Sequence, residues 1–130
     1  MPSDEPASQR VAPARKGLMH AVDATRYSLA GARRLWEETA TRLELGAGVL
    51  AAPAFLWRGA EVWQWLLALA LLALVLAFEA LNTAIEVLTD RISPEWSAMA
   101  RDAKDLGSLA VGLTQAIAGG FVLAVLAGVP

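Results

Sequence analysis

Glu79, Asn82 and Glu86 stand within Glu79-Ala-Leu-Asn-Thr-Ala-Ile-Glu86, inside an apolar run long enough to cross a bilayer. An ionisable side chain at the centre of a spanning helix costs about 2.5–3.5 kcal/mol on insertion scales, so carboxylates kept there mark a functional site by default. Spacings of three and four put all three side chains, with Asp90 one turn later, on a single helical stripe that faces protein and not lipid. Two acids and an amide in that setting can move a proton and hold a hard cation. At 1.5 Å rise per residue, Glu79 lies roughly 10 Å deeper than Glu86. The deeper acid suits a general base acting on a hydroxyl presented from the bilayer, and the shallower one suits a water-exposed Mg²⁺. Asn82, between them, can orient either group by hydrogen bonding.

Mg²⁺ usually takes one or two protein carboxylates plus phosphate oxygens. Glu44, at the start of another apolar stretch, is the natural second acid. Lys104 and Asp105, in Ala103-Lys-Asp-Leu-Gly-Ser108, fall at the same membrane face, where a cation can neutralise charge on a transferring phosphate. The set describes phosphoryl transfer from a cytosolic nucleotide, ATP being the expected donor, to a membrane-embedded alcohol. The same residues also fit a plainer role as polar glue between helices, or as the lining of a small ion path. No Walker loop, kinase glycine-rich loop or nucleophile elbow is present, which excludes a soluble-type nucleotide fold. His20 is a lone histidine and reads as a surface or packing residue.

The elements that position these groups follow from composition. A chain of 130 residues allows one domain, and 56% apolar content with a mean hydropathy of +0.45 places it among integral membrane proteins. A net charge of −2, with no basic run interleaved with aromatics, gives no case for nucleic acid. Without cysteine there is no disulfide, thiolate metal site or cysteine nucleophile, so any metal is a hard cation on carboxylate oxygen. Residues 1–16 carry charge and three prolines without an apolar core, and read as a disordered cytosolic tail ahead of a membrane domain over 17–130.

Leu18, Val22, Leu29 and Trp36 recur at helical spacings and predict an amphipathic surface helix over about 18–40, with Gly31 as a point where it could break. Spans are expected over about 41–57, interrupted by Pro53, then 62–88 and 106–129. Arg58 to Glu61 form a tight turn flanked by Trp57, Trp63 and Trp65, an aromatic belt. Asp90 to Asp105 reads as a charged loop. Ser108, Gly112, Ala116 and Gly120 recur every fourth residue, a pattern that lets helix backbones approach closely, and Gln115 reads as an interhelical hydrogen-bond donor. Seven of the eleven Lys and Arg precede Leu45 and three lie within 90–105, so the amino terminus and that loop are expected inside, and the carboxyl terminus outside.

At Glu79-Ala-Leu-Asn82-Thr-Ala-Ile-Glu86-Val-Leu-Thr-Asp90 the chain resembles the small prokaryotic diacylglycerol kinases, whose signature is Glu-x-x-Asn-Ser/Thr-Ala-Ile-Glu-x-x-Val-Asp. The similarity extends from Tyr27-Ser28 through Arg42-Leu-Glu44 and Asp90-Arg-Ile92 to Ala103-Lys-Asp-Leu-Gly-Ser108. The resemblance implies an all-α homotrimer of three-span protomers in the bacterial inner membrane, with active sites shared between subunits, phosphorylating diacylglycerol to phosphatidic acid with Mg²⁺ and ATP for lipid recycling. By position it implies that Glu79 is the general base, assisted by Asn82. Glu44 and Glu86 match the metal acids, and Lys104 a phosphate contact. Asp90 and Asp105 match supporting groups around the nucleotide, with Tyr27 and Ser28 on its side of the site. Two departures stand out: Thr89 replaces the signature valine, and Asp102 adds negative charge near the proposed phosphate site. Undecaprenol kinases share the Asn-Thr-Ala-Ile-Glu core and are the main alternative; Tyr27-Ser28 and Gly107-Ser108 look more like the diacylglycerol branch. A non-enzymatic membrane interaction protein is the remaining one.

Overall fold

The computed structural model describes residues 17–129, and the proposed tail over 1–16 lies outside them. Among the described residues the protein is all α: α1 (Leu18–Trp36), α2 (Thr39–Arg58), α3 (Val62–Ile92) and α4 (Ala98–Ala127). Helices α3 and α4 are each long and apolar enough to cross a membrane, whereas α2, carrying Arg42 and Glu44, falls short of the same measure. The α3–α4 pair forms the main packed seam; α2 lies against both, and α1 touches α2 and α3.

Local chemistry fixes the ends. Gly59 terminates α2 with φ at 66°, the left-handed conformation that a residue without Cβ adopts freely, and Gly128 does the same for α4 at 78°. A Cβ on Gly128 would run into the Arg58 guanidinium, so the α2–α3 turn and the end of α4 share one end of the molecule. A cation there complements the carbonyl end of α4. At this end Phe55 is fully buried and meets Trp65 edge-on at 5.2 Å, while Trp63 lies 6.2 Å from Phe121. The aromatic belt thus also ties helices together. Pro53 is carried inside α2 without breaking it.

Two expectations are corrected. The charged segment 90–105 is mostly helix: α3 runs through Asp90 to Ile92, α4 opens at Ala98, and only residues 93–97 connect them. Loss of apolar character marks where lipid ends, not where the helix ends; Ser97 caps α4 by accepting from the Ala100 amide at 3.1 Å. The surface helix stays continuous through Gly31 and stops at Trp36, four residues early, because the chain turns at Glu37 and Glu38 before α2. The stripe Ser108, Gly112, Ala116 and Gly120 is exposed in the single chain. The seam toward the other helices instead runs through Ala100, Gly107, Val111, Thr114 and Val125.

The close approach of α3 and α4 falls at Gly107, where an added Cβ would collide with the Asn82 carboxamide oxygen. Only a residue without a side chain admits that contact. Most large apolar side chains, including Leu66, Leu69, Leu109, Leu113, Ile117 and Leu123, remain exposed on the surface of the chain. That outward apolar surface is what a helix pair facing lipid or further helices presents.

Candidate active site

The polar stripe of α3 opens into a cleft of about 380 Å³ at the end of the bundle opposite Arg58 and Gly128. Glu79, Asn82, Thr83 and Glu86 form its α3 wall, and Ser108, Val111, Gly112 and Gln115 its α4 wall. Glu38 and Ala40 reach it from the start of α2. Three helices thereby bring together groups up to 77 residues apart in the chain, from Glu38 to Gln115.

The acids differ in environment as their depth predicts. Glu79 is 7% exposed, whereas Glu86 is open to solvent and receives a hydrogen bond from Asn82 Nδ2 at 2.9 Å. Asn82 Oδ1 is buried without a partner, turned toward Gly107. Glu44, half-buried on α2, lies at the α4 side of the site: Gln115 Nε2 donates to its Oε1 at 2.5 Å and reaches Glu79 Oε1 at 3.5 Å. The expected interhelical donor therefore joins α4 to α2 and α3. Glu44 Oε2 is buried and unpartnered, a lone-pair site with capacity for a cation.

A second cleft, of about 340 Å³, follows one turn further along the same helices and the 93–97 connection. Asp90, Lys104 and Asp105 line it together with Trp96 and Arg101. Lys104 Nζ donates to Asp90 Oδ1 at 2.5 Å, so the proposed phosphate cation rests on an exposed carboxylate that an anion could displace. Asp102, which seemed to burden this region with negative charge, is held by Arg101 through two bonds of 3.2 and 2.9 Å and does not line the cleft. Thr89 is equally benign: it is buried, and its hydroxyl donates to the Ile85 carbonyl at 2.6 Å, leaving no polar group unmatched where the signature has valine.

Tyr27 and Ser28 are not brought to either cleft. Tyr27 is 76% exposed on α1, and the Ser28 hydroxyl donates to the Ala24 carbonyl of its own helix. Glu38 was not singled out by spacing. It enters the site because the chain breaks between Trp36 and Thr39, leaving Glu38 extended at the start of α2 while Arg34 holds one of its oxygens at 2.6 Å. Nothing in Glu37-Glu38-Thr39, which lacks glycine or proline, announces that break. No group of three or more His, Asp or Glu poised to enclose a metal is found among the described residues. A cation here must be completed by ligand oxygens, as Mg²⁺ bound with a nucleotide usually is.

Comparison with known proteins identifies the family. The family model "Prokaryotic diacylglycerol kinase" matches residues 26–126, which include every residue of both clefts. The chain is 50% identical over 94 residues to a diacylglycerol kinase of Sinorhizobium sp, covering 72% of this chain and 69% of that one. It is 35% identical over 104 residues to a diacylglycerol kinase of Haemophilus influenzae, covering 79% and 88%, and 36% identical over 96 residues to one of Escherichia coli K12, covering 73% and 79%. Signature, helical frame and the family match over residues 26–126 converge: the chain belongs to the prokaryotic diacylglycerol kinase family.

Proposed function

We propose that this protein is a lipid kinase that transfers the γ-phosphoryl group of ATP to diacylglycerol, giving phosphatidic acid and ADP at the cytosolic face of a bacterial inner membrane. The observation that carries the reading is a buried carboxylate, Glu79, at the inner end of an acid-lined cleft, on a helix of membrane-spanning length, in a chain of this family. Diacylglycerol offers one hydroxyl. Its oxygen attacks the γ-phosphorus, the bond to the ADP oxygen breaks, and the hydroxyl proton passes to the Glu79 carboxylate. Depth favours Glu79 over Glu86 for this step, because a lipid hydroxyl approaches from the bilayer side. Phosphoryl transfer asks little covalent work of a protein, so positioning and charge neutralisation carry the catalysis.

Asn82 fixes Glu86 by donating to it, and so sets the metal-facing acid relative to the base, which lies about two turns away. Glu86 and Glu44 would hold Mg²⁺, with the buried unpartnered Oε2 of Glu44 as the fitting feature and Glu38 as a further carboxylate on the cleft wall. When bound, the ion neutralises phosphate oxygens. Lys104, released from Asp90, contacts a phosphate, and Asp90 and Asp105 order the groups around the nucleotide. Tyr27 and Ser28 take part from the nucleotide side if α1 swings over the cleft or is supplied by a neighbouring copy.

The assembly we propose is a homotrimer of three-span protomers, with α2 as the first span and α1 lying in the interface. The exposed small-residue stripe on α4 and the wide outward apolar surface support it. The amino terminus faces the cytosol and the carboxyl terminus lies outside, on the basic-residue count. Purified protein incubated with Mg-ATP in mixed micelles containing diacylglycerol or undecaprenol tests the reaction. Phosphatidic acid as the dominant product is expected; dominant undecaprenyl phosphate would transfer the chain to carrier-lipid supply, and no lipid product would remove the kinase reading.

A further inference from the structure

We infer that Gln115 is a positioning residue for the reaction: its side-chain amide holds the Glu79 and Glu44 carboxylates in one fixed arrangement across three helices. The inference rests on the reading of Glu79 as the base and extends it to a residue on a different helix. Gln115 Nε2 donates to Glu44 Oε1 at 2.5 Å and lies 3.5 Å from Glu79 Oε1, a long contact beside a short one. Both acceptors are reached by the same nitrogen, so the two carboxylate oxygens can be no farther apart than those two distances together. Two carboxylates that close, one of them buried, repel when both are ionised, and a neutral donor between them offsets part of that repulsion. An amide is suited to that place because it supplies two N–H groups and no charge. A lysine there would pair with the base and quench it, and a third acid would add to the repulsion.

The position of Gln115 separates this role from ordinary packing. The buried seam of α4 runs through Val111 and Thr114, whereas Gln115 stands beside that seam, on the cleft wall with Gly112. Its backbone does not depend on the amide, and its side chain ends at the two acids. Gln115 moves no proton and touches neither phosphate; it determines where the Glu79 oxygen points when the lipid hydroxyl arrives. Misplacement of a catalytic group by about 1 Å can cost roughly 10²-fold.

Gln115→Met keeps length and volume and removes both donors. Assayed on the full chain in diacylglycerol micelles, it is expected to lower kcat by roughly 10- to 100-fold, with KM for Mg-ATP within about twofold of the parent. At saturating Mg²⁺ the loss should be smaller in a Glu44→Gln background, where an amide already faces Glu79 and the repulsion is gone. Unchanged kcat, or the same factor in both backgrounds, would overturn the inference. A readout that needs no turnover accompanies it. Labelling of Glu79 by a hydrophobic carbodiimide, read by peptide mass spectrometry, should change several-fold in Gln115→Met and stay at the parent rate in Gly119→Ala, a position with open space around it. Equal labelling in the parent and Gln115→Met overturns the inference. Failure of the parent protein to make phosphatidic acid would strike the function reading and leave the labelling result to decide the bridge.

Discussion

Glu38, Glu86 and Asp102 differ in what holds each side chain. Glu86 is solvated and oriented by Asn82, and Glu38 faces the same cleft with one oxygen on Arg34. Removing a charge from Glu38 should weaken use of the metal–nucleotide complex and leave the base untouched. We expect Glu38→Gln to raise the Mg²⁺ concentration needed for half-maximal activity by roughly tenfold, the scale seen when groups supporting a metal site are lost; a magnesium titration at fixed ATP measures it. Asp102 has a lesser part. Its pair with Arg101 is exposed on both sides, and such pairs contribute less than about 1 kcal/mol. Asp102→Asn should therefore change KM for ATP by no more than about fivefold, measured by initial rates at saturating lipid. The carboxylates of the α3 stripe were legible in the sequence because charge inside apolar sequence is costly and their spacing is helical. Glu38 was not, because a helix break without glycine or proline leaves no local mark, and an acid beside another acid reads as a solvated face.

At the scale of elements, α3 and α4 set the site by how closely they approach. Gly107 lets the Asn82 carboxamide enter the seam, and Asn82 in turn holds Glu86. A methyl group at Gly107 must push Asn82 aside. Gly107→Ala should destabilise the protein by about 1–3 kcal/mol, the cost of overpacking a filled interior. It should also lower kcat by roughly tenfold or more through loss of Asn82 and Glu86 placement; thermal unfolding in micelles and steady-state kinetics check the two effects. The existence and order of the helices could be read from hydropathy, the Arg58–Glu61 turn and the charged segment 90–105. Their ends could not. Residues 90–92 and 98–105 are helical outside the apolar core, since the Ala, Met, Arg and Lys among them are good helix formers whether or not lipid surrounds them. The small-residue stripe was legible as a feature, but its partner was not: the every-fourth-residue pattern marks a face capable of close approach without saying which helix meets it.

For the whole molecule, the single chain leaves a wide apolar surface and an open cleft. Lipid covers part of such a surface, and the exposed stripe through Gly112 and Gly120 is suited to a helix of a second copy. Around Gly120 nothing in the protomer lies within 4 Å of an added Cβ, so a bulky residue there spares the fold and obstructs only a neighbour. Gly120→Leu should lower the trimer fraction seen on crosslinking in native membranes and leave helix content by circular dichroism unchanged. A dominant monomer in the parent protein would contradict the shared-site assembly. The measurement that bears most directly on the account is the turnover of Glu79→Gln beside the parent, with Mg-ATP and diacylglycerol in mixed micelles and phosphatidic acid quantified. A buried general base predicts a loss of at least about 10²-fold in kcat, with Mg-ATP binding retained. Phosphatidic acid formed by Glu79→Gln at the parent rate would contradict it.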